Sequence, residues 1–173
     1  LGNVGPVSEL GGSEVGDVAA GDATDRCGGA GGADGRRREV AWHLACDAQA
    51  ASIARRRVAS TLDDWAVVLA PARRHDLALA VSELVTNAVM HTATSTIAVT
   101  LRHTVTNRHG RVAIEVHDDD TDGEVAIVDP ALAPGRLGGQ GLRVVDQVAD
   151  RWGSRPTEAG KTVWLEVDTT TTC

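Results

Sequence analysis

His75–Thr92 reads HDLALAVSELVTNAVMHT, and its spacing predicts a helix over Asp76–Thr92. On a helical wheel Leu77, Val81, Leu84, Val85, Ala88 and Val89 fill roughly 100° to 240°. Glu83, Asn87 and His91, each four residues from the next, fall at about 0°, 40° and 80°. The polar stripe therefore borders the buried face. A carboxylate, an amide and an imidazole at such a border are partly desolvated, which is costly unless a partner, a metal ion or a ligand satisfies them. Read singly, each residue also fits a solvated helix flank.

The rest of the chain is read outward from this helix. With 173 residues a single domain with a tail is expected, large enough for a sizeable core. Phe and Tyr are absent, so Trp42, Trp65, Trp152 and Trp164 are the only large rings and the core must be aliphatic. A formal net charge of −7 opposes phosphate-backbone binding, and the clusters Arg36–Arg38 and Arg55–Arg57 are too local to reverse it, so a nucleic-acid partner is excluded. Cys27, Cys46 and Cys173 are odd in number and form no CxxC, which points to neither a disulfide framework nor a zinc site. No apolar run reaches membrane-spanning length and no signal-peptide layout opens the chain, so a cytoplasmic location without membrane contact is expected.

Residues 1–38 are Gly-rich without helical or strand periodicity, predicting a disordered N-terminal tail. The folded domain is expected over 39–168, with a polar tail over 169–173. Val40, Trp42, Leu44 and Cys46 alternate with smaller or polar residues as a half-buried strand does. Asp47 is placed to cap a helix whose apolar stripe is Ala50, Ile53, Ala54, Val58 and Leu62, with its arginines on a solvated face. An apolar linker, Trp65–Leu69, leads through Pro71 to the central helix. Ile97, Val99 and Leu101, a turn at Asn107–Gly110, and Val112, Ile114 and Val116 predict a hairpin. After a Pro- and Gly-rich loop, a short helix is expected through Leu142, Val145 and Val148, then a second hairpin with Val163, Leu165 and Val167 on one face. This order gives an α/β (α+β) two-layer sandwich, a mixed and mostly antiparallel sheet with helices on one face.

Three local motifs admit more than one reading. Ala159–Thr162 reads AGKT, but a P-loop needs glycine where Arg155 stands and a helix where a strand follows. Gly138, Gly139 and Gly141 at a helix N-terminus suit an anion such as phosphate, and equally suit a flexible linker before a helix. Asp118, Asp120, Asp122, Gly123 and Asp129 have calcium-loop spacing but lack the flanking helices, so a solvated acidic loop is favoured.

Together, Glu83-Leu-Val-Thr-Asn87-Ala-Val-Met-His91, Asp118 ending a strand, Gly139-x-Gly141-Leu142 opening a helix, and Gly160-Lys161-Thr162 entering the last strand resemble the GHKL ATPases, specifically the anti-sigma-factor serine/threonine kinases of actinobacterial type. The resemblance spans about residues 40–167 and implies the Bergerat-type ATP-binding fold. It implies ATP and Mg²⁺ as cofactors, with Glu83 as the general base toward a protein serine and Asn87 as the Mg²⁺ ligand. Asp118 would accept the adenine amino group, and Gly139, Gly141 and Leu142 would form the phosphate lid. Thr162 would support the adenine end, and His91 would have a phosphate-side or structural role. The implied partners are a sigma factor and a STAS-type anti-sigma antagonist, with a homodimer left open. The implied activity is serine phosphorylation of the antagonist; an ATP-binding module that sequesters a partner without phosphoryl transfer is the alternative. Where the family pattern reads DxGxG, this chain has Asp118-Asp-Asp-Thr-Asp-Gly123, whose added negative charge is expected to oppose nucleotide by Coulomb repulsion.

Overall fold

The computed structural model describes residues 35–92, 95–106, 109–120 and 140–170. Along the chain they form β1 (Arg36–Ala45), α1 (Ala50–Asp64), α2 (Pro71–His91), β2 (Thr96–Val105), β3 (Gly110–Asp118), α3 (Gln140–Val148), β4 (Arg151–Thr157) and β5 (Gly160–Thr169). The strands make one five-stranded sheet in the order β1-β2-β3-β5-β4, with every neighbouring pair antiparallel. The two expected hairpins, β2–β3 and β4–β5, are both present.

Alternation along the strands separates two faces. Val99, Leu101, Val112, Ile114, Val116, Leu165 and Val167 are buried on the inner face. The helices cover that face: α2 packs on α1 and on α3 and reaches both β3 and β5, so it sits at the centre of the helical layer. Its buried residues are Leu77, Ala80, Val81, Ser82, Leu84, Val85 and Ala88, which follow the apolar stripe read from sequence. The fold is therefore the two-layer α+β sandwich expected.

Several boundaries differ from expectation. Strand β1 begins at Arg36 rather than near Glu39, because pairing of Arg36–Arg38 with His103–Val105 rests on backbone groups and leaves no apolar signature. Residues 1–34 of the expected tail lie outside the described residues. Strand β5 runs to Thr169, one position past the expected boundary. Helix α2 begins at Pro71 instead of Asp76, since proline at the first turn has no N–H to leave unpaired and a preset φ. Asp47 does not cap α1. Its Oδ1 accepts the Gln49 N–H at 2.7 Å, and the helix starts only at Ala50. Nor is the arginine flank of α1 wholly solvated: half-buried Arg55 donates through Nη1 to Ser82 Oγ at 2.8 Å and ties α1 to α2.

The outer face carries charge in place of apolar groups. Arg102 Nε bonds Glu39 Oε2 at 2.7 Å, Arg102 Nη1 bonds Glu115 Oε1 at 2.9 Å, and Arg155 Nη2 bonds Glu115 Oε2 at 2.7 Å, so one network crosses the sheet from β1 to β4. Hydrogen bonds from Arg37 and then Arg102 hold the Glu39 carboxyl below its usual range. Burial pushes Glu115 up, but bonds from Arg102 and Arg155 outweigh it and leave the carboxyl lowered. Burial, with Arg38 and Arg36 nearby, keeps His103 below the ordinary histidine value. All three groups bind protons more weakly folded than unfolded, so stability rises with pH across their titrations. A urea midpoint should hold near neutral pH, soften as pH drops below about 6.5, and fall steeply below about 4.5. A midpoint that stayed flat from pH 7 to 4 would show that these groups are not perturbed in the folded chain.

Candidate active site

One end of the sandwich gathers most of the polar residues picked out in the sequence. Helix α2 carries Glu83, Asn87 and His91 one turn apart, the first two half-buried and His91 exposed. Buried or half-buried polar heads in native proteins normally have partners. Among the described residues, neither the Glu83 carboxylate nor the Asn87 amide makes a hydrogen bond or ion pair.

The first turn of α3 closes on Glu83. A Cβ placed on Gly141 would stand 2.4 Å from Glu83 Oε2 and 3.3 Å from Glu83 Cβ, so glycine here leaves the Glu83 head its observed position, which a larger residue would displace. The carboxylate thereby lies beside the N-terminal turn of α3, where the helix dipole favours negative charge. Gly141→Ala should push α3 and Glu83 apart. We expect nucleotide affinity to drop while the melting temperature changes little, since neither group is in the apolar core. Unchanged affinity by calorimetry would show that the contact is incidental.

Asp118 ends β3, 2% exposed. Its Oδ1 accepts the Asp120 N–H at 3.0 Å and faces Lys161 Nζ at 3.2 Å, while Lys161 Nζ also bonds Asp120 Oδ2 at 2.6 Å. Among the described residues, Oδ2 of Asp118 has no partner. The buildup of negative charge expected at 118–120 is thus offset locally by an ammonium. Gly160 makes this corner possible. It has φ +141°, and a Cβ there would come within 2.0 Å of the Asp118 carbonyl oxygen. The C-terminus of α2 is joined to the same corner where Thr92 Oγ1 donates to Asp119 Oδ1.

Not every expected residue is brought here. Thr162 pairs with His117, not with Asp118, and lies on the opposite face of the sheet with its Oγ1 3.2 Å from His117 Nδ1. The residue directly across from Asp118 is Lys161. Leu142 is buried in the apolar core at 4% exposure, where it anchors α3. Gly139, with Asp122 and Asp129 of the calcium-like spacing, lies outside the described residues. No group of three or more metal-ligating side chains is found among the described residues, and the cation that Asp118 and Asp120 face is Lys161. Cys46 is a free thiol, and no described helix is long and apolar enough to cross a membrane. A cavity of about 220 Å³ bordered by Arg36, Arg38, Trp65 and His103 opens at the far end of the strands and shares no residue with this corner.

Sequence reading missed Lys161 as a site residue. A signal was present: Val163, Leu165 and Val167 face inward, and the strand period of two puts position 161 on that face and 162 on the other.

The residues present fit a nucleotide. Among the described residues, the Oδ2 atom of buried Asp118 and the Asn87 amide have no partner, and the Glu83 carboxylate lies beside Gly141. A comparison with curated proteins finds no match. Among solved structures, the RsbU and RsbW domains of Rv1364c from Mycobacterium tuberculosis are similar at a TM-score of 0.51 and 18% identity, over 76% of this chain and 33% of that one. That likeness concerns the fold, and this chain spans about a third of that protein's length. The description "Histidine kinase-like ATPase domain" matches residues 45–167, most of the chain and every described element from the end of β1 nearly to the end of β5. The chain therefore belongs to the histidine kinase-like ATPase domain family.

Proposed function

We propose that the protein is an ATP- and Mg²⁺-dependent protein-serine kinase that binds a sigma factor and phosphorylates a STAS-type anti-sigma antagonist. The carrying observation is Glu83, a half-buried carboxylate without a partner among the described residues, sealed by Gly141 and one helical turn from Asn87. A carboxylate so placed can accept a proton from a serine hydroxyl as its oxygen attacks the γ-phosphoryl group, with ADP as leaving group. Asn87, on the same face, supports a role as ligand to Mg²⁺, which when bound offsets charge on the phosphate oxygens. Asp118 Oδ2 is the acceptor available to the amino group of the base, and Gly141 lets the α3 N-terminus approach the phosphates. His91, exposed on the last turn of α2, is assigned a phosphate-side or structural part.

The test incubates the full chain with Mg-ATP, a purified STAS-domain antagonist and a purified sigma factor. Phosphoserine on the antagonist, together with sigma-factor capture, is the expected result. Nucleotide binding and sigma-factor capture without any phosphorylation would overturn the kinase reading and leave a sequestering module.

A further inference from the structure

Lys161 is the only lysine in the chain, and it is nearly withdrawn from solvent. It forms a directly opposed cross-strand pair with Asp118 on the helix side of the sheet, where the two side chains are 11% and 1% exposed. An ammonium has three N–H donors and a carboxylate has two acceptor oxygens. Lys161 Nζ donates to Asp120 Oδ2 at 2.6 Å and forms an ion pair with Asp118 Oδ1 at 3.2 Å. Among the described residues, Lys161 donates no other hydrogen bond and Asp118 Oδ2 is without a partner. A donor and an acceptor thus stand side by side on neighbouring strands, both in a place where polar groups are normally satisfied.

We propose that Lys161 is a second base-reading residue. Its remaining N–H and Asp118 Oδ2 together meet the adjacent acceptor and donor on a purine edge, N1 and the 6-amino group of adenine. This rests on the nucleotide reading of the site and goes beyond it. A carboxylate alone satisfies the amino group but turns negative charge toward the N1 lone pair. The ammonium beside it supplies the missing donor. It also offsets part of the negative charge of Asp118 and Asp120, so an uncharged base meets less excess charge at that edge. Asp120 is then a positioning residue, since its carboxylate holds Nζ against Asp118.

The experiment compares ATP with 1-deaza-ATP, in which a C–H replaces N1, by titration calorimetry on the full chain and on Lys161→Met. The unmutated chain should prefer ATP by roughly tenfold or more, the range for a hydrogen bond to a charged group, and Lys161→Met should bring the ratio near one. Equal binding of the two nucleotides to the unmutated chain overturns the inference, as does a preference that survives Lys161→Met. In both cases ATP still binds and the nucleotide reading stands. Failure of ATP itself to bind the unmutated chain overturns that reading and the inference with it. The comparison in the unmutated chain decides the matter even where Lys161→Met does not fold.

Discussion

Replacing Glu83 by Gln should leave ATP bound and reduce phosphoryl transfer to serine by roughly 10²- to 10⁴-fold, the usual contribution of a general base. The substitution keeps shape and hydrogen-bonding capacity and removes only the basic charge. Its cleanness follows from the surroundings: Glu83 has no hydrogen bond or ion pair among the described residues, so no partner is orphaned. The lost interaction with the α3 N-terminus is worth about 0.3–1 kcal/mol, too little to unfold the domain. A melting temperature near that of the unmutated chain would therefore assign the rate loss to chemistry. Transfer at the original rate in Glu83→Gln would remove Glu83 from the base role, since a carboxamide cannot take up the serine proton.

Much of the arrangement behind that expectation is legible in sequence, and the illegible part has physical causes. Helix α2 announces itself because its buried residues recur at 3.6, and Glu83 and Asn87 border that stripe by the same arithmetic. The strands are legible wherever one face is buried and the other wet, as in Val112, Ile114 and Val116. Arg36–Arg38 belong to β1 through backbone pairing alone, and backbone pairing writes nothing into side-chain type. The contact of Gly141 with Glu83 joins residues far apart in sequence, so a glycine that could have been a linker is seen beside the Glu83 head only once α3 lies on α2. Lys161 was legible in part. Its parity with Val163 places it inward, yet that its partners would be Asp118 and Asp120 depends on the β3–β5 register, which no local pattern states. The added acidity at 118–120 looked like an obstacle to nucleotide for that reason: the compensating charge arrives from another strand.

Asn87→Ala separates metal-dependent binding from the rest of the site. Asn87 is half-buried on the face of Glu83 and makes no hydrogen bond among the described residues, so truncation leaves no group unpaired. Alanine is also the better helix former, by up to about 0.7 kcal/mol, and the melting temperature should stay level or rise slightly. Nucleotide affinity in the presence of Mg²⁺ should nevertheless fall, by at least the roughly 10- to 100-fold that loss of even an outer-sphere metal partner costs. Affinity measured in EDTA should change little, because the Asp118–Lys161 pair, proposed above to meet the base, is untouched. Titrating ATP against both chains, with and without Mg²⁺, reads the difference directly. An equal loss in Mg²⁺ and in EDTA would mean that Asn87 contacts the nucleotide itself. Should Asn87→Ala instead behave as Glu83→Gln does, with full binding and slow transfer, the division of one helix face into a base and a metal ligand fails, and both residues serve the proton step alone.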